Sequence, residues 1–248
     1  MRYASAMSGP DASSLDSAFA RWRASHAGYA PLYSESLMKE ALEHLAPALR
    51  PGAVVLDAGC GEGHITWALA TRGARAIGID HVRAPQWTVS EGSECGFTQA
   101  SVERLPLRDA VIDALFCFSV LQYVDRGMAL DEFSRVLKPG ARFAIVDNLD
   151  RHPVAALHRV MRHAPWRYPS WREIQNADPR FAERRSRPAG LLAPLLFSWP
   201  GCDQWRADVP RRAWPRRAIE IIERCDRFGF ALPAARDCAW MALTLGRR

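Results

Sequence analysis

Long apolar runs are missing from this sequence of 248 residues. No stretch approaches the roughly 18 uninterrupted apolar residues of a membrane-spanning helix, so no membrane span is predicted. The residues Met1–Ser14 also lack the apolar segment of a secretory signal, which argues against export. Apolar residues nevertheless make up 48% of the chain and charged residues 24%, a balance typical of a folded domain with a sizeable core.

Cysteine and histidine occur without the spacing of a metal site. The six cysteines are scattered and include no Cys-x-x-Cys pair, and the seven histidines show no ligand spacing with cysteine or carboxylate. Scattered cysteines within apolar segments are typical of reduced, buried thiols. We therefore predict a cytoplasmic protein without a bound metal.

Lysine is almost absent, because Lys39 and Lys138 are the only two among 33 basic residues. The net charge of +6 and the pI near 9.3 raise the question of a nucleic-acid partner. The arginines gather mostly in residues 151 to 217, and not along one helix face. Nucleic acid is therefore not the expected partner, and an RNA-binding module or RNA methyltransferase is the least favoured interpretation.

The most informative segment is Val54–Gly63, where an apolar run ends on Asp57 and glycines follow at alternate positions. This order predicts a strand, a tight glycine turn and a helix, with backbone N–H groups of the turn facing a ligand. The spacing is not the Gly-x-Gly-x-x-Gly of dinucleotide-binding folds. An acid at the strand end would repel a pyrophosphate and suits a cofactor that carries positive charge. Helix capping is the alternative role for Asp57.

Apolar periodicity predicts strands and helices that alternate along most of the chain. The predicted helices cover residues 34–50, 64–72, 127–137, 153–163, 188–198 and 216–228. The predicted strands cover residues 53–57, 74–80, 97–100, 112–120, 142–147, 230–232 and 237–245. This alternation indicates a parallel sheet built from right-handed βαβ units.

The alternation breaks after Asp147, where proline, tryptophan and arginine become frequent. We therefore predict four regions: a flexible arm over residues 1–20, a core over 21–150, an inserted helical lid over 151–215, and the last helix and strands over 216–248. The lid is expected between strands five and six. It contains His152, Tyr168, Trp171 and Trp199.

Four motifs in order resemble those of class I S-adenosylmethionine (SAM) dependent methyltransferases of the bacterial small-molecule type. They are Asp57-x-Gly59-x-Gly61-x-Gly63, Ile77–Asp80, Ser101–Leu107 followed by Ile112–Leu115, and Leu137–Gly140. The resemblance covers residues 53 to 147. It implies a Rossmann-like α/β fold, with a seven-stranded, mostly parallel sheet and helices on both faces, and SAM as the cofactor.

The resemblance also implies which residues bind the cofactor. Asp80 corresponds to the acid that binds both ribose hydroxyls, which suits a carboxylate because each of its oxygens accepts one O–H. Ser101 stands where the family has an Asp for the adenine amino group, and the backbone N–H of Val102 is a second adenine contact. The expected cofactor residues are Asp57, Gly59, Cys60, Gly61, Asp80, His81, Ser101, Val102, Ser119 and Val120.

Methyl transfer needs orientation of the acceptor and, for some acceptors, removal of a proton. Tyr123 and Asn148 follow the fourth and fifth strands and are the candidate catalytic residues. We expect transfer to an O, N or C atom of a small molecule, in secondary metabolism for example, by a monomer or homodimer. The alternative is a lyase or azetidine-forming cyclase that consumes SAM itself.

Overall fold

The structure is a computed structural model of the chain. It describes residues 19, 31–87, 94–153, 156–157, 160, 166–176, 178–192 and 213–248. One seven-stranded sheet organises these residues. The strands are β1 (Val54–Ala58), β2 (Arg75–Asp80), β3 (Cys95–Gln99), β4 (Ile112–Phe118), β5 (Leu137–Asn148), β6 (Glu183–Ala189) and β7 (Met241–Arg247).

The strand order is β3-β2-β1-β4-β5-β7-β6. The strands β1 to β5 pair in parallel, whereas β7 runs antiparallel to both β5 and β6. The sheet order reverses direction between β1 and β4, and a ligand crevice is expected outside the carboxyl ends of strands at such a point. The predicted α/β fold with a mostly parallel sheet is thereby confirmed.

Helices connect the strands and cover the sheet. They are α1 (Pro31–Leu45), α2 (His64–Ala70), α3 (Arg126–Val136), α4 (Trp171–Gln175), α5 (Ala213–Gly229) and α6 (Pro233–Asp237), with a 3₁₀ turn at Ala46–Ala48 after α1. No described helix is long and apolar enough to cross a membrane.

Alternate residues of the central strands feed two cores, one on each face of the sheet. Val55, Ala114 and Val146 pack with residues of α1 and α2 on one face. Leu56, Leu115 and Ile145 pack with Phe133 and other residues of α3 on the opposite face. The central strands are therefore buried on both faces, which explains their nearly continuous apolar sequence.

The longest insertion lies at a different place from the predicted one. The strand β6 falls inside the predicted lid, 151–215, and pairs along its whole length with β7 at the edge of the sheet. The boundary of the lid between strands five and six is therefore wrong, because part of that segment completes the sheet. The longest connection instead runs from residue 190 to 240, between β6 and β7.

Three other predictions need correction. Residues 188 and 189 belong to β6, whereas 193–198 of the predicted helix lie outside the described residues. Phe230–Leu232 is a turn after α5, and Phe230 packs in a small core with Trp171. Phe19 is 0% exposed and belongs to the main core, so the mobile arm cannot include it. The other residues of the predicted arm lie outside the described residues.

Candidate active site

The glycine turn between β1 and α2 has the backbone shape that its sequence requires. Gly59 and Gly61 have φ angles of +77° and +52°, in the left-handed region that favours glycine. A Cβ on Gly59 would lie 2.1 Å from Cγ2 of Val120, whereas a Cβ on Gly61 would meet nothing within 4 Å. Gly59 therefore allows close packing against Val120, just after β4, and Gly61 leaves open space at the carboxyl edge of the sheet.

The predicted contact of backbone N–H groups with a ligand is wrong for four residues of the turn. The N–H groups of Gly59 and Cys60 both donate to the carbonyl of Ile79, at 2.7 and 3.0 Å. The N–H of Gly61 donates to Asp80, and that of Gly63 donates to the carbonyl of Cys60. The first three donors hold the turn against β2, and the fourth closes the turn on itself, so none of the four faces outward.

Asp57 lies beneath the turn and is only 3% exposed. Its Oδ2 accepts a hydrogen bond of 2.6 Å from the hydroxyl of Thr66 in α2. Burial raises the pKa of the Asp57 carboxyl to about 7, the hydrogen bonds from Thr66 lower it, and the charge of Asp80 raises it. Asp57 thus contacts the first turn of α2 through the Thr66 side chain, and its carboxyl group lies beneath the turn, away from solvent.

Burial, followed by the charges of Asp57 and Asp80, raises the pKa of the Cys60 thiol far above its usual value. Cys60 therefore stays protonated at neutral pH and is no nucleophile. Cys60 supplies a small side chain in the turn, near the carboxyl groups of Asp57 and Asp80.

Asp80 ends β2 beside the turn, where it was predicted to bind a ribose. Its Oδ2 accepts from the Gly61 N–H at 2.9 Å, and its Oδ1 accepts from the Val82 N–H at 3.1 Å. The exposed ring of His81 lies 3.0 Å from the same Oδ1 through its Nδ1. Two backbone bonds orient the carboxylate, and only the contact with the exposed side chain of His81 must be exchanged for a ligand hydroxyl.

The predicted adenine residues lie in the turn after β3. Ser101 Oγ donates to a carboxylate oxygen of Glu103 at 3.0 Å and accepts from the Glu103 N–H at 3.1 Å. The hydroxyl therefore has one lone pair left for a ligand. Val102 is buried, so its side chain anchors this turn in the core.

Ser119 joins β4 to the site in a strained conformation, with a φ of +56°. Its Oγ accepts one bond from Nε2 of Gln122 at 2.9 Å and another from Nδ2 of Asn148 at 2.5 Å. Both lone pairs of the hydroxyl are thereby used, which leaves its proton available for donation. The structure thus brings the predicted residues Ser119 and Asn148 together and adds Gln122 to them.

A buried ion pair lies beside this cluster. Arg126, in the first turn of α3, donates to Asp147 at 2.8 Å, and the Asp147 side chain is 1% exposed. Oδ1 of Asp147 and Oε1 of Gln122 are buried without a hydrogen-bond partner in the described part of the protein. Buried unpaired acceptors are costly, so this region suits polar groups of a ligand or bound water.

Tyr123 does not join the cluster around Ser119 through its side chain. It is 51% exposed, and its ring meets that of Trp166 edge-on at 4.9 Å between centroids. Trp171 is buried in a small core, whereas Trp199 lies outside the described residues. His152 is 1% exposed and contacts the carbonyl of Leu191.

Comparison with known proteins decides the family to which this site belongs. Residues 56–145, which contain the glycine turn, Asp80, Ser101 and Ser119, match the model of a methyltransferase domain. The chain contains a class I SAM-dependent methyltransferase domain. The cofactor of this methyltransferase domain is SAM, as its motifs indicated.

Among curated relatives, an O-methyltransferase from Pyrenophora dematioidea is 32% identical over 125 residues, which are 47% of this chain and 46% of the relative. A ubiquinone biosynthesis O-methyltransferase from Alkalilimnicola ehrlichii is 30% identical over 156 residues, 59% of this chain and 62% of the relative. The chain thus spans about half the length of the curated relatives that it matches. Their similarity concerns the methyltransferase domain.

A solved structure shows the same fold over a longer range. The geranyl diphosphate C-methyltransferase from Streptomyces coelicolor A3(2) superposes with a TM-score of 0.60 at 19% identity. The match covers 86% of this chain and 76% of that chain. The shared fold therefore extends beyond the motif-bearing region.

The residues of the methyltransferase domain fit SAM. The cofactor carries positive charge, and the turn lies between two carboxyl groups, Asp57 and Asp80. Asp80 stands at the sheet edge with two backbone donors that orient it, and Gly61 leaves the adjacent space open. No described group of three or more His, Cys, Asp or Glu side chains could hold a metal ion.

Sequence reasoning missed Trp87 in this domain. Its indole Nε1 donates to the carbonyl of Gly61 at 2.8 Å, and its ring stacks on Phe97 with 5.4 Å between centroids. A cavity of about 300 Å³ borders this pair and is also lined by Arg83 and Gln99. Nothing in the local pattern around Trp87 indicates a contact with the turn, because the contact joins two separate loops.

Proposed function

We propose that the protein transfers the methyl group of SAM to an O, N or C atom of a small organic molecule. The observation that carries this proposal is the left-handed glycine turn held between β2 and β4, with Asp80 fixed at its edge. The curated relatives named above act as O-methyltransferases, which supports an oxygen acceptor as the first class to test. Secondary metabolites with such an oxygen atom are among the proposed acceptors.

The methyl group of bound SAM is already activated by the sulfonium, so transfer is a displacement that needs alignment more than activation. Asp80 would hold the ribose by accepting its hydroxyl protons, and the His81 contact would open to admit them. Asp57 would favour the cation electrostatically once it ionises near pH 7. The turn and the two acids thus set the position of the methyl group.

The cluster of Ser119, Gln122 and Asn148 would position the acceptor or the amino-acid arm of the cofactor. Its hydroxyl proton is directed away from both amide donors, so it can bind an oxygen or carboxylate of a ligand. The buried oxygens of Gln122 and Asp147 can accept protons from a hydroxyl or ammonium group. Of these two, only the Asp147 carboxylate can take up the proton of an alcohol or phenol as its oxygen attacks, whereas the Gln122 amide oxygen can only accept a hydrogen bond.

The direct test is turnover with SAM and a panel of phenols, catechols and amines, with products separated by mass spectrometry. We expect S-adenosylhomocysteine (SAH) in equal amount to methylated acceptor, and none without acceptor. Methylthioadenosine formed from SAM alone would support the lyase or cyclase alternative and contradict methyl transfer.

The described cysteines are free thiols, which supports a reducing cytoplasm as the place of action.

A further inference from the structure

The loop after β2 is attached to the glycine turn by two side-chain contacts. Residues 81–87 form no helix. The indole Nε1 of Trp87 donates to the carbonyl oxygen of Gly61 at 2.8 Å. Beside it, Nε2 of Gln86 donates to a carboxylate oxygen of Glu62 at 3.2 Å. Two consecutive residues of the loop thus hold two consecutive residues of the turn.

Hydrogen bonds fix both peptide groups of Gly61, one on each side of its Cα. Its N–H donates to Asp80 at 2.9 Å, and its carbonyl accepts from Trp87. Gly61 has no side chain to fix its conformation, and its φ of +52° belongs to a region that glycine enters and leaves easily. These two hydrogen bonds therefore determine how the Gly61 peptide groups are oriented.

The ring of Trp87 has a rigid support. It stacks on Phe97 with an interplanar angle of 13°, and Trp67 of α2 meets Phe97 edge-on at 5.4 Å between centroids. Phe97 in turn packs where Cβ atoms on Gly63 and Gly78 would stand, 2.5 and 2.7 Å away. The stack therefore places the indole N–H relative to the end of the turn and to β2.

We propose that Trp87 is a positioning residue for SAM, acting through the carbonyl of Gly61. This inference rests on the proposed SAM-binding role of the turn. Losing the indole N–H frees the Gly61–Glu62 peptide group to rotate, and the rotation disturbs the Gly61 N–H that orients the Asp80 carboxylate. Trp87 thus affects how tightly the cofactor is held, and not the methyl-transfer step.

The test is Trp87→Phe, which keeps an aromatic ring on Phe97 and removes the N–H donor. Trp67→Phe is the matched control, because Trp67 belongs to the same aromatic stack but does not donate to the turn. Titration calorimetry with SAH should show a dissociation constant about three- to tenfold higher for Trp87→Phe, the range for one lost neutral hydrogen bond. The control should bind within about twofold of the original protein. Once a methyl acceptor is identified, the KM of Trp87→Phe for SAM should rise while its kcat stays within about twofold of that of the original protein.

A variant-free measurement covers the case in which Trp87→Phe does not fold. Hydrogen–deuterium exchange of the original protein with SAH should slow together in peptides that cover 57–63 and 81–87. Slowing confined to the turn would overturn the proposal, as would equal SAH affinity for Trp87→Phe and the original protein. Equal weakening by both tryptophan variants would also overturn it, since packing alone would explain that result. Failure of the original protein to bind SAH would instead contradict the proposed function.

Discussion

Asp57 shows how a single buried acid links the cofactor site to stability. Its pKa of about 7 in the folded protein lies above the 3.8 of an exposed Asp, so the folded state keeps a proton that the unfolded chain releases. Stability therefore falls as pH rises from about 4 to about 7, by on the order of 4 kcal/mol in total. The same ionisation makes the site more attractive to a cation.

Asp57→Asn tests this coupling, because the amide still accepts from Thr66 and does not ionise. We expect the variant to exceed the original protein in free energy of unfolding at both pH 5 and pH 8, and by clearly more at pH 8. Urea denaturation at the two pH values measures the difference. Parallel stability curves for the two proteins would show that Asp57 is ionised at both values.

Ser119 combines backbone strain with a hydroxyl in the site, and two substitutions separate the two properties. Ser119→Ala keeps the strained φ of +56° and removes the hydroxyl, whereas Ser119→Gly removes both. The glycine variant should be more stable than the alanine variant by about 1 kcal/mol, the cost of a side chain in this region. Both should lose methyl-transfer activity to a similar extent, since Asn148 and Gln122 lose their common partner.

Thermal unfolding and steady-state kinetics of the two Ser119 variants provide the readout. Recovery of activity in the glycine variant alone would show that the backbone conformation matters and the hydroxyl does not. Ser119→Cys is the matched size control, because it keeps a side chain and replaces the hydroxyl with a weaker donor.

At the scale of elements, one carboxylate ties three strands together. Asp113 of β4 accepts from the Val54 N–H of β1 at 2.9 Å and from Lys138 of β5 at 2.8 Å. Burial raises the pKa of Asp113, but the bonds from Lys138 and Val54 outweigh it and hold the pKa below its usual value. Lys138, one of only two lysines in the chain, therefore has a structural role.

Lys138→Met should lower the free energy of unfolding by about 1 kcal/mol, because the pair is partly exposed. Arg167→Met is the control, since its ion pair with Glu173 is largely exposed and should contribute little. Chemical denaturation at neutral pH measures both. An equal effect of the two substitutions would show that Asp113 does not depend on Lys138.

The elements that sequence predicted well are those buried on both faces. The strands β1, β2 and β4 are apolar runs with clear turns after them, and each was placed within about two residues of its bounds. The strand β6 was missed because its sequence, Glu183–Ala189, is rich in arginine and contains Pro188. Charges and proline are tolerated at a sheet edge, where one side of the strand has no partner.

The candidate site was predictable only where it follows a strand. Asp80 and Ser119, which the family resemblance implied, stand at or just after the ends of β2 and β4, and the structure gives both a defined hydrogen-bond environment. Trp87 was not predictable, because its contact with Gly61 joins loops that are 26 residues apart. The direction of the turn's N–H groups was also wrong, since pairing with β2 depends on tertiary structure.

For the whole molecule, the mixed sheet places both parts of the proposed reaction at one edge. The glycine turn and Asp80 lie on the β1–β2 side of the crevice, and the cluster of Ser119, Gln122 and Asn148 lies on the β4–β5 side. The parallel pairing of β1 with β4 fixes the distance between the turn and this cluster. Differences between acceptors are therefore expected to depend on the connections after β5 and β6.

The central claim is that SAM binds at the glycine turn through Asp80. Titration calorimetry with SAH on the original protein and on Asp80→Asn tests it most directly, because Asn loses the charge and one of two acceptor oxygens. We predict one SAH per chain for the original protein and at least about tenfold weaker binding for the variant. Equal affinity of the two proteins, or no binding by the original protein, would contradict the account.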